Sequence, residues 1–195
     1  MNRIFITLLF SLLMTGCKTK KKSSDQPAQN FFVTDYIKGQ VAMLDTLHYP
    51  FFKIESDDGR TDTITITNTE AKTLAKDFLL LPDISSEDIR DDYEVSKLFD
   101  DLQEAFIFTY LTKENHPVQR EDITVEPEIN AKGQNDIRSM YADLRINENA
   151  KSVRKNMFWE ANKSFEIITI TDAPGTPQTI KRVKVIWKGF DSLLK

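Results

Sequence analysis

The chain has 195 residues, 40% of them hydrophobic and 29% charged, with a formal net charge of −4. Those fractions exclude a collagen-like or wholly disordered chain, and the acidic balance offers no general attraction to nucleic acid. One Cys and two His leave no internal disulfide, no Cys-based zinc site and no histidine-rich metal site, so neither a metal nor another cofactor is expected.

At the start, Arg3 precedes an apolar run from Ile4 to Met14 that only Thr7 and Ser11 interrupt. The run is about half the length that a bilayer-spanning helix needs and suits the apolar core of an export signal. The small residues Thr15 and Gly16 then lead into Cys17. Residues 14–17 resemble the lipobox of bacterial lipoproteins, with Met14 where Leu is usual. The resemblance implies that residues 1–16 are a signal peptide cut before Cys17, and that the Cys17 thiol carries the lipid that holds the protein to a membrane. An ordinary signal peptide followed by a chance cysteine is the alternative. Each buried CH₂ contributes about 0.8 kcal/mol, so two or three acyl chains anchor stably. A lipidated thiol is lost as a nucleophile.

Residues 17–30 read as a flexible tether. Lys18, Lys20, Lys21 and Lys22 crowd beside the anchor, followed by Ser23, Ser24, Asp25, Gln26 and Pro27. The lysines suit anionic headgroups, at roughly 1 kcal/mol each, or serve as a plain solvated linker. In lipoprotein sorting, Asp after the lipidated cysteine retains a protein in the inner membrane. Lys18 stands there, and the tether lacks an acidic surface-export run. The resemblance therefore implies the outer membrane, facing the periplasm.

Residues 31–195 read as a single α+β domain, with two N-terminal helices and a β-hairpin followed by an antiparallel β-meander. The first helix runs from Thr34 to about Leu47, with Ile37, Val41 and Leu44 on one face. Phe51 to Ser56 and Thr61 to Thr67 flank Asp57-Asp58-Gly59-Arg60, and Asp-Gly predicts a hairpin turn. The second helix starts at Asn68 or Thr69 and ends before Pro82, burying Ala71, Leu74, Ala75 and Phe78. The acidic stretch Ser85 to Leu102 suggests a short helix or loop. Strands follow over Ala105 to Thr112, Arg120 to Glu126, Asp136 to Ile146, Val153 to Glu160, Ser164 to Thr171 and Thr179 to Trp187. Turn formers separate them, which implies an antiparallel meander. This order resembles small Bacteroidota envelope lipoproteins, through Thr34-Asp35-Tyr36-Ile37-Lys38-Gly39-Gln40 and Phe158-Trp159. The resemblance implies a location and carries no known activity.

Chemistry is sparse. There is no Gly-rich phosphate loop, no His-Glu-x-x-His and no Gly-x-Ser-x-Gly. His48 and His116 sit at a helix end and in a turn, where histidines are usually structural. Glu87, Asp88, Asp91, Asp92 and Glu94 are the only ligand-like cluster; they read as a solvated face more readily than as a calcium site. Most of the 13 Phe, five Tyr and two Trp should be core.

Period-two patterning sharpens the last three strands. Pairing Glu160 with Ser164 across Ala161-Asn162-Lys163, and Thr171 with Thr179, puts Met157, Trp159, Phe165, Ile167, Val183 and Val185 on one core face. The opposite face carries Phe158, Ile168, Ile170, Ile180 and Ile186 among Arg154, Glu166, Arg182 and Lys184. Either a helix covers these five apolar residues or they form a contact surface. The reading is a non-catalytic, lipid-anchored envelope protein that binds another envelope protein or an apolar ligand. The alternative is a hydrolytic enzyme with a carboxylate site, which would need two carboxyls sharing a deep pocket.

Overall fold

The first hairpin forms where Asp-Gly predicts it. β1 (Phe51–Asp57) and β2 (Arg60–Ile66) pair from Phe51↔Ile66 to Asp57↔Arg60, and Gly59 takes a φ of 80° at the turn. The computed structural model describes residues 33–190 except 58, 132 and 149. The expected signal peptide, Cys17 and the tether lie outside the described residues.

α1 (Val33–Met43) precedes the hairpin and continues into a 3₁₀ turn at Leu44–Thr46; Ile37, Val41 and Leu44 are buried along one face. α2 (Asn68–Leu74) follows β2. Its cap is Thr67, whose hydroxyl accepts the Glu70 N–H while the Glu70 carboxylate accepts the Thr67 N–H at 2.7 Å. This reciprocal box satisfies two donors that the helix cannot. The helix stops at Ala75, and the four-residue α3 (Lys76–Leu79) resumes beyond it.

The chain then turns at Arg90–Asp92 into β3 (Tyr93–Asp100), β4 (Ala105–Thr112), β5 (Val118–Ile129), β6 (Asn135–Glu148), β7 (Lys151–Glu160), β8 (Ser164–Asp172) and β9 (Thr179–Ile186). All nine strands form one antiparallel sheet in the order β2-β1-β9-β8-β7-β6-β5-β4-β3. The helical crossover thus carries the chain from the β2 edge to the β3 edge. The meander then returns until β9 docks on β1, with Phe52 opposite Ile186 and Asp57 opposite Lys181.

This architecture overturns the α+β expectation. The molecule is essentially all-β: the helices are short pieces of 11, seven and four residues, and the hairpin belongs to the same sheet as the meander. The acidic stretch expected as helix or loop contains β3. An edge strand is solvated along most of its length, and β3 is buried only at Tyr93. Its apolar alternation is broken: Tyr93, Val95 and Phe99 share a phase, but Lys97 interrupts them and Leu98 falls out of phase.

One face of the sheet carries the core, covered by the helices. Trp159 stacks on Phe165 with centroids 5.2 Å apart, and Phe78 of α3 meets both edge-on at 5.1 and 5.7 Å. Such pairs add to the burial of large rings. Lys155 ties β7 to α3 through Asp77 at 2.6 Å. At the β7–β8 turn Asn162 adopts a φ of 57°, and its N–H donates to the Gln40 side chain of α1 at 3.1 Å. β5 and β6 slip register near Gln119 and Arg138; such bulges bend a sheet and increase its twist. Among the described residues, no helix is long and apolar enough to cross a membrane.

Candidate functional site

The registers of the last strands place every candidate residue on a defined face. β7 and β8 pair Trp159 with Phe165 and Met157 with Ile167, and β8 and β9 pair Ile167 with Val183 and Phe165 with Val185. These are the pairings that period-two patterning requires. Met157, Trp159, Phe165, Ile167 and Val185 are buried on the helix-covered face, and Val183 is half-buried.

The alternate residues face outward, away from the helices. Phe158 lies between Tyr141 and Glu166, Ile168 between Asn156 and Arg182, and Ile170 between Arg154 and Ile180. Phe158 is 40% and Ile180 50% exposed, while Ile168 and Ile170 are half-buried by their neighbours. Ile170 and Ile180 stand directly opposite one another. Ile186 is different. It lies opposite Phe52, whose ring stacks on Phe190 at 3.9 Å, and it is only 2% exposed. The chain beyond β9 folds over that end of the face and withdraws Ile186 from it.

Polar residues interleave with the apolar ones. Glu166 faces Lys184 in register, yet its carboxylate takes the Arg182 guanidinium at 2.8 Å, a diagonal partner. On β5, Arg120 grips Asp122 at 2.9 Å. Tyr141 sits between these groups. Burial, then the Asp143 charge, pushes its hydroxyl above the usual range. At the lower end of the face, Arg145, Asn147, Ser152, Arg154, Ile170, Asp172 and Gln178 line an open groove of about 540 Å³.

A second region lies on the inner face near the β3 edge. Glu121 of β5, opposite Tyr110 and Ala142, is 2% exposed, and its Oε1 has no hydrogen-bond partner. Burial pushes its carboxyl up to about 8, with the Asp83 and Asp122 charges adding to the shift. Tyr93 donates to the Val118 carbonyl at 2.9 Å and is itself raised to about 12, first by burial and then by Glu121 and Asp92. Outside this pair, Ser85, Arg90, Tyr93, Tyr110 and Lys113 line a shallow cleft of about 420 Å³. His116 stacks on Tyr93 at 5.7 Å, with Nε2 2.7 Å from Asp92. A carboxyl that keeps its proton near neutral pH can act as an acid, but Glu121 is sealed from solvent.

Glu121 escaped the sequence reading although its signal was present: it is in phase with Ile123 and Val125, both fully buried. The acids from Glu87 to Glu94 stay apart. Among the described residues, no three His, Cys, Asp or Glu side chains converge on a point that could hold a metal ion. No protein-family model, curated protein or solved structure matches the chain.

Proposed function

We propose that the protein is a lipid-anchored lipoprotein of the bacterial cell envelope, held to the outer membrane through Cys17 and facing the periplasm. Its nine-stranded domain binds a partner protein or an apolar ligand without catalysis. The observation that carries the binding reading is the outward face of β7 to β9. The helices lie on the opposite face, and Phe158 and Ile180 stay open to solvent beside Ile168 and Ile170. Exposed apolar groups gathered on one sheet face favour a contact surface.

Crosslinking in the native membrane, followed by co-purification, tests this reading. Wild type and a Phe158→Thr/Ile180→Thr variant are compared, because Thr keeps strand propensity while removing apolar area. Loss of a crosslinked species in the variant, with a melting temperature lowered by no more than a few degrees, is the expected result; identical capture refutes the face. The anchor is tested separately. Cys17→Ala should leave the precursor uncleaved and move it out of the detergent phase.

The competing reading, a hydrolytic enzyme, draws on Glu121 alone. Its raised carboxyl fits an acid, but the side chain is only 2% exposed. The binding reading is therefore preferred.

A further inference from the structure

Arg145 and Arg154 stand directly opposite one another on β6 and β7. Like charges in that position repel and destabilise a sheet. The two other arginines on this face are neutralised, Arg120 by Asp122 and Arg182 by Glu166. Among the described residues, Arg145 and Arg154 make no ion pair and no side-chain hydrogen bond. Both are exposed, and both line the groove of about 540 Å³. The carboxylate in that groove, Asp172, already accepts from Gln178 Nε2 at 2.9 Å. Asp143, one row above on β6, shifts Arg120 and Tyr141 rather than pairing with either groove arginine. Two arginines without an ion pair therefore line one groove, together with Ser152 and the apolar Ile170.

We infer that this groove binds the oxyanion headgroup of an aliphatic amphiphile, a phosphate or carboxylate held between Arg145 and Arg154. The inference rests on the binding reading above and gives it a ligand class. Guanidinium forks match the geometry of carboxylate and phosphate oxygens, and such charge-assisted bonds are about twice as strong as neutral ones. The bound anion would relieve the repulsion between the two arginines. Ile170 continues into Ile180 directly opposite and Ile168 one row on, so an aliphatic chain leaving the headgroup has apolar wall to follow. A peptide fits less well. β6 to β9 are interior strands with neighbours on both sides, so no backbone donors or acceptors remain to pair with a peptide strand.

The test is calorimetric titration of the full chain carrying Cys17→Ser, so that no acyl chain of its own competes. The probes are decyl phosphate below its micelle concentration, inorganic phosphate, decanol and N-acetyl-trileucine. Decyl phosphate should bind at least tenfold more tightly than inorganic phosphate or decanol. Arg145→Gln/Arg154→Gln should weaken it tenfold or more while the melting temperature holds or rises, because a like-charge pair has been removed. Should that variant unfold, Arg145→Lys/Arg154→Lys keeps the charges without the forks and should still weaken decyl phosphate several-fold. Ile170→Ser should weaken decyl phosphate and leave inorganic phosphate unchanged. Decyl phosphate binding that is undiminished in a folded arginine variant overturns the headgroup assignment. If decanol binding is also undiminished there, an apolar face survives without its anion site. Tighter binding of the tripeptide than of decyl phosphate overturns the aliphatic ligand class.

Discussion

Along β7, β8 and β9, every inward residue has an outward neighbour, and the two sets obey different rules. The centre of the inward set is Trp159, Phe165, Met157 and Val185, all fully buried, with Phe78 edge-on to both rings. There, volume and ring geometry decide what is tolerated. The outward set mixes Phe158, Ile168, Ile170 and Ile180 with arginines, a glutamate and a lysine, and is partly solvated. There, strand propensity and charge placement decide. The same backbone thus supports a face that is costly to change and a face that is free to change, and the second is where binding chemistry can evolve without loss of the fold.

The sharpest way to break the comparison is Trp159→Ala. Removing a fully buried ring that contacts Phe78 and Phe165 should cost about 3–5 kcal/mol, read as a lower midpoint in denaturant unfolding. A loss near that of an outward substitution would mean the two faces do not differ. Glu121→Gln probes the inward face by charge. The folded carboxyl holds its proton up to about pH 8, whereas the unfolded group releases it near 4.5. Between those values only the folded state binds that proton, so stability should fall as pH rises through this window, at about 1.4 kcal/mol per pH unit. Glu121→Gln should abolish the slope and raise stability at pH 8; an unaltered slope would place the titrating group elsewhere.

On the outward face, Phe158→Thr or Ile180→Thr should each cost under about 1 kcal/mol, because both remain partly solvated and Thr suits a strand. Thermal unfolding at neutral pH checks this. The smallest effect belongs to Glu55, which accepts from Lys181 and Lys53, and these bonds and charges pull its carboxyl down to about 2. Its contribution is present above pH 4.5 and is lost as pH falls toward 2. The site is partly exposed, so solvent screening limits the effect of Glu55→Gln to under about 1 kcal/mol. Comparing acid denaturation of this variant with wild type measures it.

Legibility followed the same division. The β7–β8 and β8–β9 registers could be read because strong period-two alternation meets short turns, and only one loop length keeps Trp159 opposite Phe165. The Asp-Gly hairpin was legible for a local reason. β3 was not, since Lys97 and Leu98 break the alternation of Tyr93, Val95 and Phe99 in a strand buried only at Tyr93. The helix lengths were overread: apolar spacing continued past Met43 and Ala75, where the chain in fact tightens or breaks. Glu121 was overlooked because acids are read as solvent-facing, although its neighbours Ile123 and Val125 fix the phase of the strand. The pairing of Arg145 with Arg154 needed the β6–β7 register, which the sequence between the two strands does not announce.

The docking of β9 onto β1 has a consequence in time. Phe52 and Ile186 are more than a hundred residues apart in the chain, yet they are neighbours in the sheet. The hairpin is made early in synthesis, but one side of it has no partner until the last strand arrives. Pairings of such long sequence separation are slow to form, since the entropy of closing the loop is lost before the contact is gained. For a chain exported in the way we propose, the β1 edge stays unpaired until β9 has crossed.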